Sequence, residues 1–119
     1  MPRNYLRSNG IAYKAMGIME TWNFKPSKIV STGTPVDIIA FRNEKTFLVQ
    51  VIYAKSLIPD AKTLERVYKT DVNALREMGT NDHFRKIVMV FSPKCGWKYY
   101  DVLPGGLIPA WDLPDASAE

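Results

Sequence analysis

A chain of 119 residues, 46% of them hydrophobic, is long enough for one domain with its own core and too short for two comfortable ones. The formal charge of +4 and a pI near 9.2 suit an anionic partner, but many basic enzymes share them. A single cysteine, Cys95, excludes an internal disulfide framework and a cysteine-cluster zinc site, and His83 is equally alone. No apolar run approaches the roughly 18 residues needed to span a bilayer, and the N-terminal MPRNYLRSNG has no apolar signal core. The expectation is a soluble protein of the reducing cytoplasm with no membrane contact.

From about Asn9 to Trp22, the residues Ile11, Ala15, Ile18, Met19 and Trp22 recur at helical spacing, with Ser8 or Asn9 as the cap. After Pro26 a short strand is expected over Lys28–Thr32, then a turn at Gly33-Thr34-Pro35. Val36–Phe41 and Thr46–Tyr53 are both rich in β-formers and are joined by Arg42-Asn43-Glu44-Lys45, which predicts a hairpin. Their near-continuous apolar character predicts strands covered on both faces.

Between Asp60 and Met78, a stripe of Leu64, Val67, Tyr68, Val72, Leu75 and Met78 predicts one long amphipathic helix ending at Gly79. Lys86–Phe91 reads as a buried strand, Ser92–Gly96 as a turn and Trp97–Val102 as a further strand. From about residue 103 the prolines and glycines predict an irregular tail anchored by Leu107, Ile108 or Trp111. The order is helix, three strands, helix, two strands: a single α/β domain over residues 1–119, with a mixed sheet flanked by helices.

Two segments carry the chemistry. Gly33-Thr34-Pro35-Val36-Asp37-Ile38-Ile39-Ala40-Phe41 is followed by Phe47-Leu48-Val49-Gln50-Val51-Ile52-Tyr53-Ala54-Lys55-Ser56, and Gly96-Trp97-Lys98-Tyr99-Tyr100 comes later. This arrangement resembles the PD-(D/E)XK nuclease superfamily, and more narrowly the archaeal Holliday junction resolvases, over roughly residues 3 to 102. The resemblance implies a restriction-endonuclease-like core in which an acid on one hairpin strand and a Glu or Gln on the next hold a divalent cation. Such a cation takes oxygen ligands, activates water and neutralises charge developing on a phosphate.

On that resemblance Asp37, Gln50 and Lys55 are the candidate catalytic residues, and Asp37, Gln50 and the Val51 carbonyl the candidate ligands for Mg²⁺ or Mn²⁺. If the chain is not catalytic, no cofactor is implied. Two positions depart from the pattern. Ile52 stands where the family has its catalytic lysine, and Lys14 stands where the resolvases carry a glutamate in the first helix; Glu20 is at least a turn too late. Lys55 lies three residues beyond Ile52, about 10 Å along a regular strand and on its opposite face, so only a bulge or strand end would return its side chain.

Plainer uses stand beside these. Asp37 could cap a turn, Gln50 could be a buried hydrogen-bonded residue, and Lys55 could be a solvated strand-end lysine. Trp97, Tyr99 and Tyr100 suit packing or a dimer interface better than base stacking. Arg3, Arg7, Lys14, Lys25 and Lys28 form a basic N-terminal section suited to a phosphate backbone.

The leading expectation is a nucleic-acid-binding, catalytically degenerate relative of the resolvases, working as a homodimer on DNA, with branched DNA a candidate. The alternatives are an active metal-dependent endodeoxyribonuclease with relocated catalytic residues, and a noncatalytic protein-interaction module.

Overall fold

The computed structural model describes residues 5–29, 34–55, 60–78 and 84–110. Helix α1 (Tyr5–Thr21) begins earlier than the apolar stripe, so Ser8 and Asn9 lie inside it and do not cap it. It buries Ile11, Ala12, Ala15 and Met19. Its end is a Schellman turn. Asn23 takes the left-handed conformation (φ 68°), its N–H donates to the Glu20 carbonyl at 3.1 Å, and the Phe24 N–H reaches back to Met19 at 3.1 Å.

That turn delivers the chain straight into strand β1 (Lys25–Lys28), which falls earlier than the expected 28–32; residues 30–33 lie outside the described ones. Pro26 is accommodated because β1 is an edge strand. Strands β2 (Ile38–Arg42) and β3 (Lys45–Tyr53) form the expected hairpin. Its tight loop is Asn43-Glu44, with Asn43 at φ 58°, a conformation asparagine tolerates.

The expected long helix is divided at Tyr68 (φ −108°, ψ 33°) into α2 (Ala61–Val67) and α3 (Lys69–Arg76). Asp60 caps α2, accepting the Thr63 N–H at 2.8 Å. The bend leaves Tyr68 buried, its hydroxyl 3.4 Å from the Tyr53 carbonyl.

Strand β4 (Phe84–Ser92) follows, then β5 (Gly96–Leu103) and β6 (Gly106–Pro109). The tail expected to be irregular from 103 is therefore ordered through a hairpin: β6 pairs antiparallel with β5, with Val102 opposite Leu107. Gly106 at φ 154° makes the corner, a backbone conformation that glycine alone adopts readily. Leu107 is buried as an anchor, Ile108 is exposed, and Trp111 and His83 lie outside the described residues.

The six described strands form one sheet in chain order, antiparallel throughout except for the parallel β3–β4 pair, which α2 and α3 bridge as a crossover. One face packs on α1 through Phe47, Val49, Val51, Ile87 and Met89. The other packs on α2 and α3, where Ile52, Val88 and Val90 meet Leu64, Tyr68, Val72 and Leu75. Both faces are covered, which explains why β3 and β4 are almost uninterrupted apolar runs. The molecule is thus α/β with a mixed sheet between helices, and among the described residues no helix is long and apolar enough to cross a membrane.

Candidate functional site

The β2–β3 ladder opens at Asp37, and there the motif residues gather. The Asp37 N–H donates to the Val49 carbonyl at 2.8 Å, and its own carbonyl accepts the Ile29 N–H at 2.8 Å. Its carboxylate Oδ2 accepts the Val51 N–H at 2.7 Å. A side-chain oxygen thus takes the place of the next ladder carbonyl, which answers how an acid survives at 7% exposure between Val36 and Ile38.

Gln50, one residue before Val51, is fully buried. Its Nε2 donates to the Pro35 carbonyl at 3.0 Å and to the Asp71 carbonyl in α3 at 2.9 Å. Two acceptors facing the same atom fix the amide's orientation, because only the NH₂ end can serve both. The residue therefore ties the lead-in to β2, the central strand and α3 together. Its Oε1 has no hydrogen-bond partner among the described residues.

Asp37 and Val51 meet through the carboxylate and the Val51 N–H, where the resemblance implied the Val51 carbonyl, while Gln50 bonds to Pro35 and Asp71, and Lys55 stands apart. Ile52 is wholly buried in the layer under α2 and α3. Ala54 keeps the chain on β4 through its N–H to the Phe91 carbonyl at 2.8 Å, and Lys55 is then exposed beyond the end of the strand. Strand β3 ends at Tyr53 and the chain bends at Lys55.

As a divalent-cation centre this donor set is a poor fit. It offers one carboxylate, already bonded to a backbone N–H, and one neutral amide whose oxygen is sealed from solvent, whereas Mg²⁺ keeps several waters and favours carboxylates. Among the described residues no group of three or more His, Cys, Asp or Glu side chains is placed to hold a metal.

Three residues of the basic N-terminal section are described on two elements. Lys14 is exposed on α1 and Lys25 is exposed on β1, while Lys28 is half-buried with its Nζ on the Ile29 carbonyl at 2.6 Å. Arg3 and the side chain of Arg7 lie outside the described residues. Trp97 and Tyr99 pack on the α1 face, Tyr99 edge-on to Trp22 at 5.1 Å, and Tyr100 packs on the other face.

Two polar positions that sequence reading passes over are used structurally. Lys86 opens β4 buried beneath α3, and its ammonium donates to the Arg76 and Met78 carbonyls at that helix's C-terminal end. Burial first, and the neighbouring Arg76 charge second, hold its pKa below the ordinary lysine value. Asp71 supplies the backbone carbonyl that Gln50 needs. A lysine leading an apolar strand was the visible signal for the first; nothing local signals the second.

Comparison with protein-family models and with curated proteins returns no match to this sequence.

Proposed function

We propose that this chain is a noncatalytic nucleic-acid-binding protein related to the PD-(D/E)XK nucleases, with a restriction-endonuclease-like core closest to that of the Holliday junction resolvases. The observation that carries the reading is the use made of Gln50 and Ile52. Where the nuclease pattern has an acid and a lysine, this chain has an amide turned as a donor toward two backbone carbonyls and an isoleucine with no exposure at all. Both positions serve packing, and the basic surface is what remains for function. Element order supports the same kinship: an antiparallel β1–β3 meander, a helical crossover, and β4 parallel to β3.

The test is to incubate the purified protein with a labelled four-way junction and a matched linear duplex, with Mg²⁺, Mn²⁺ or EDTA, following mobility shift and cleavage together. The expected result is a salt-sensitive shift that is the same in EDTA, no cleavage, and unchanged binding by Asp37→Asn. Metal-dependent cleavage abolished in Asp37→Ala would overturn this in favour of an active endonuclease with relocated residues. Neither shift nor cleavage at low salt would leave the protein-interaction module. A homodimer is the proposed working form, and a monomeric mass by light scattering on and off DNA would remove it.

A further inference from the structure

A cluster of cationic side chains lies away from the motif, at the β6 edge of the sheet. An open groove of about 520 Å³ runs between α2 and the turn joining β5 to β6. On its helical side stand Lys62 and Arg66 of α2, one turn apart, and Lys69, the first residue of α3 beyond the bend at Tyr68; all three are exposed and line the groove. Across from them the wall is Gly105 and Gly106, which project no side chain into the gap. A side chain at Gly105 would have free space, so that wall is a low rim of backbone.

Two acids stand nearby. Glu65 lines the groove, but its carboxylate is gripped by the Arg76 guanidinium, whose Nε also donates to the Leu103 carbonyl at 2.6 Å. Asp60, at the head of α2, accepts the Thr63 N–H, and that bond, with the nearby Arg66 and Lys62 charges behind it, holds its carboxyl below the ordinary value. Among the described residues none of the three groove cations is in an ion pair, though Lys62 and Arg66 share the field of Asp60. Lys62 and Arg66 lie about 6 Å apart along α2 and Lys69 stands beyond the bend, against one phosphate per about 3.4 Å of each strand of a duplex. The groove is open rather than enclosed, which suits an extended polyanion better than a small molecule.

We propose that this groove, and neither the degenerate motif nor the basic N-terminal section, receives the phosphodiester backbone of nucleic acid. The inference rests on the nucleic-acid-binding reading above and adds its location. The contact is to phosphates, so it discriminates little between sequences.

The experiment compares the full chain with K62A/R66A/K69A, the charge-preserving K62R/R66K/K69R, and K14A/K25A, each checked for an unchanged thermal melt. Binding to a labelled duplex is titrated at several salt concentrations. Loss of the groove charges is expected to make the slope of log affinity against log salt shallower by about 2.7, at roughly 0.9 per phosphate contact. The charge-preserving variant and K14A/K25A are expected to keep the parent slope. A groove variant that binds with the parent slope overturns the location and leaves the general reading standing. Failure of the unmodified chain to bind any duplex at low salt overturns both.

Discussion

Gln50 is the residue on which structural and catalytic readings part. Replacing it by alanine removes two hydrogen bonds, leaves the Pro35 and Asp71 carbonyls without their donor and opens a cavity in the core. The expected cost is about 2–4 kcal/mol, measured by urea unfolding. Gln50→Glu, which restores the acid of the nuclease pattern, is expected to destabilise as well, because a carboxylate would face two carbonyl oxygens without solvent. A Gln50→Glu protein as stable as its parent, with new metal-dependent cleavage, would contradict the structural role. The sequence made Asp37 and Gln50 legible as polar residues that need partners. It did not make the partners legible, since the Val51 N–H and the Asp71 carbonyl are set by strand register and helix docking. Lys55 lies past the strand end at Tyr53, at a bend that strand periodicity does not reach.

At the scale of elements, the C-terminal end of α3 depends on a lysine from a neighbouring strand. Lys86 has a folded pKa below its unfolded value, so the unfolded chain binds the proton more tightly between the two. Stability contributed by this group is therefore expected to rise with pH as it passes through that interval toward 10.5, and to be flat well below it. Lys86→Met is expected to flatten that limb and to cost about 1–2 kcal/mol near neutrality by uncapping two carbonyls; unfolding curves over an alkaline series check both. The β5–β6 corner gives a sharper contrast. Gly106→Ala forces a side chain onto φ 154° and is expected to cost about 1–3 kcal/mol, whereas Gly105→Ala meets open space and is expected to be nearly neutral in a thermal melt. Periodicity found α1, the β2–β3 hairpin, β4 and β5 within a few residues. It missed the division at Tyr68, because the apolar stripe continues through a bend that is set by packing. It missed β6 because a four-residue edge strand between Gly106 and Pro109 looks like punctuation.

Across the whole molecule two of the buried phenols, Tyr68 and Tyr100, add a second alkaline effect of opposite sign. Burial chiefly, with the Asp71 charge behind it, raises the pKa of Tyr68; burial, then the Asp60 and Cys95 charges, raises that of Tyr100. The native state holds these protons after the unfolded chain has released them, so stability is expected to fall as pH climbs above 10. Phenolate absorbance should show two late-ionising tyrosines, and Tyr68→Phe should reduce the fall; a protein whose tyrosines all titrate together near 10 would refute it. The layered α/β plan was legible because both faces of β3 and β4 read as apolar. The cationic groove was not, since Lys62, Arg66 and Lys69 look like any solvated helix face until Gly105 and Gly106 are set opposite them. The two margins of the sheet have a consequence of their own. At one margin Pro26 interrupts the row of donors and Lys25 and Lys28 add charge; at the other β6 is only four residues long and ends in Pro109. Neither is a good template for another chain's backbone, so fibril seeding and strand exchange are suppressed at both ends. Two copies that associate should do so through side chains, and β6 amides should exchange with solvent equally fast in dilute and concentrated samples.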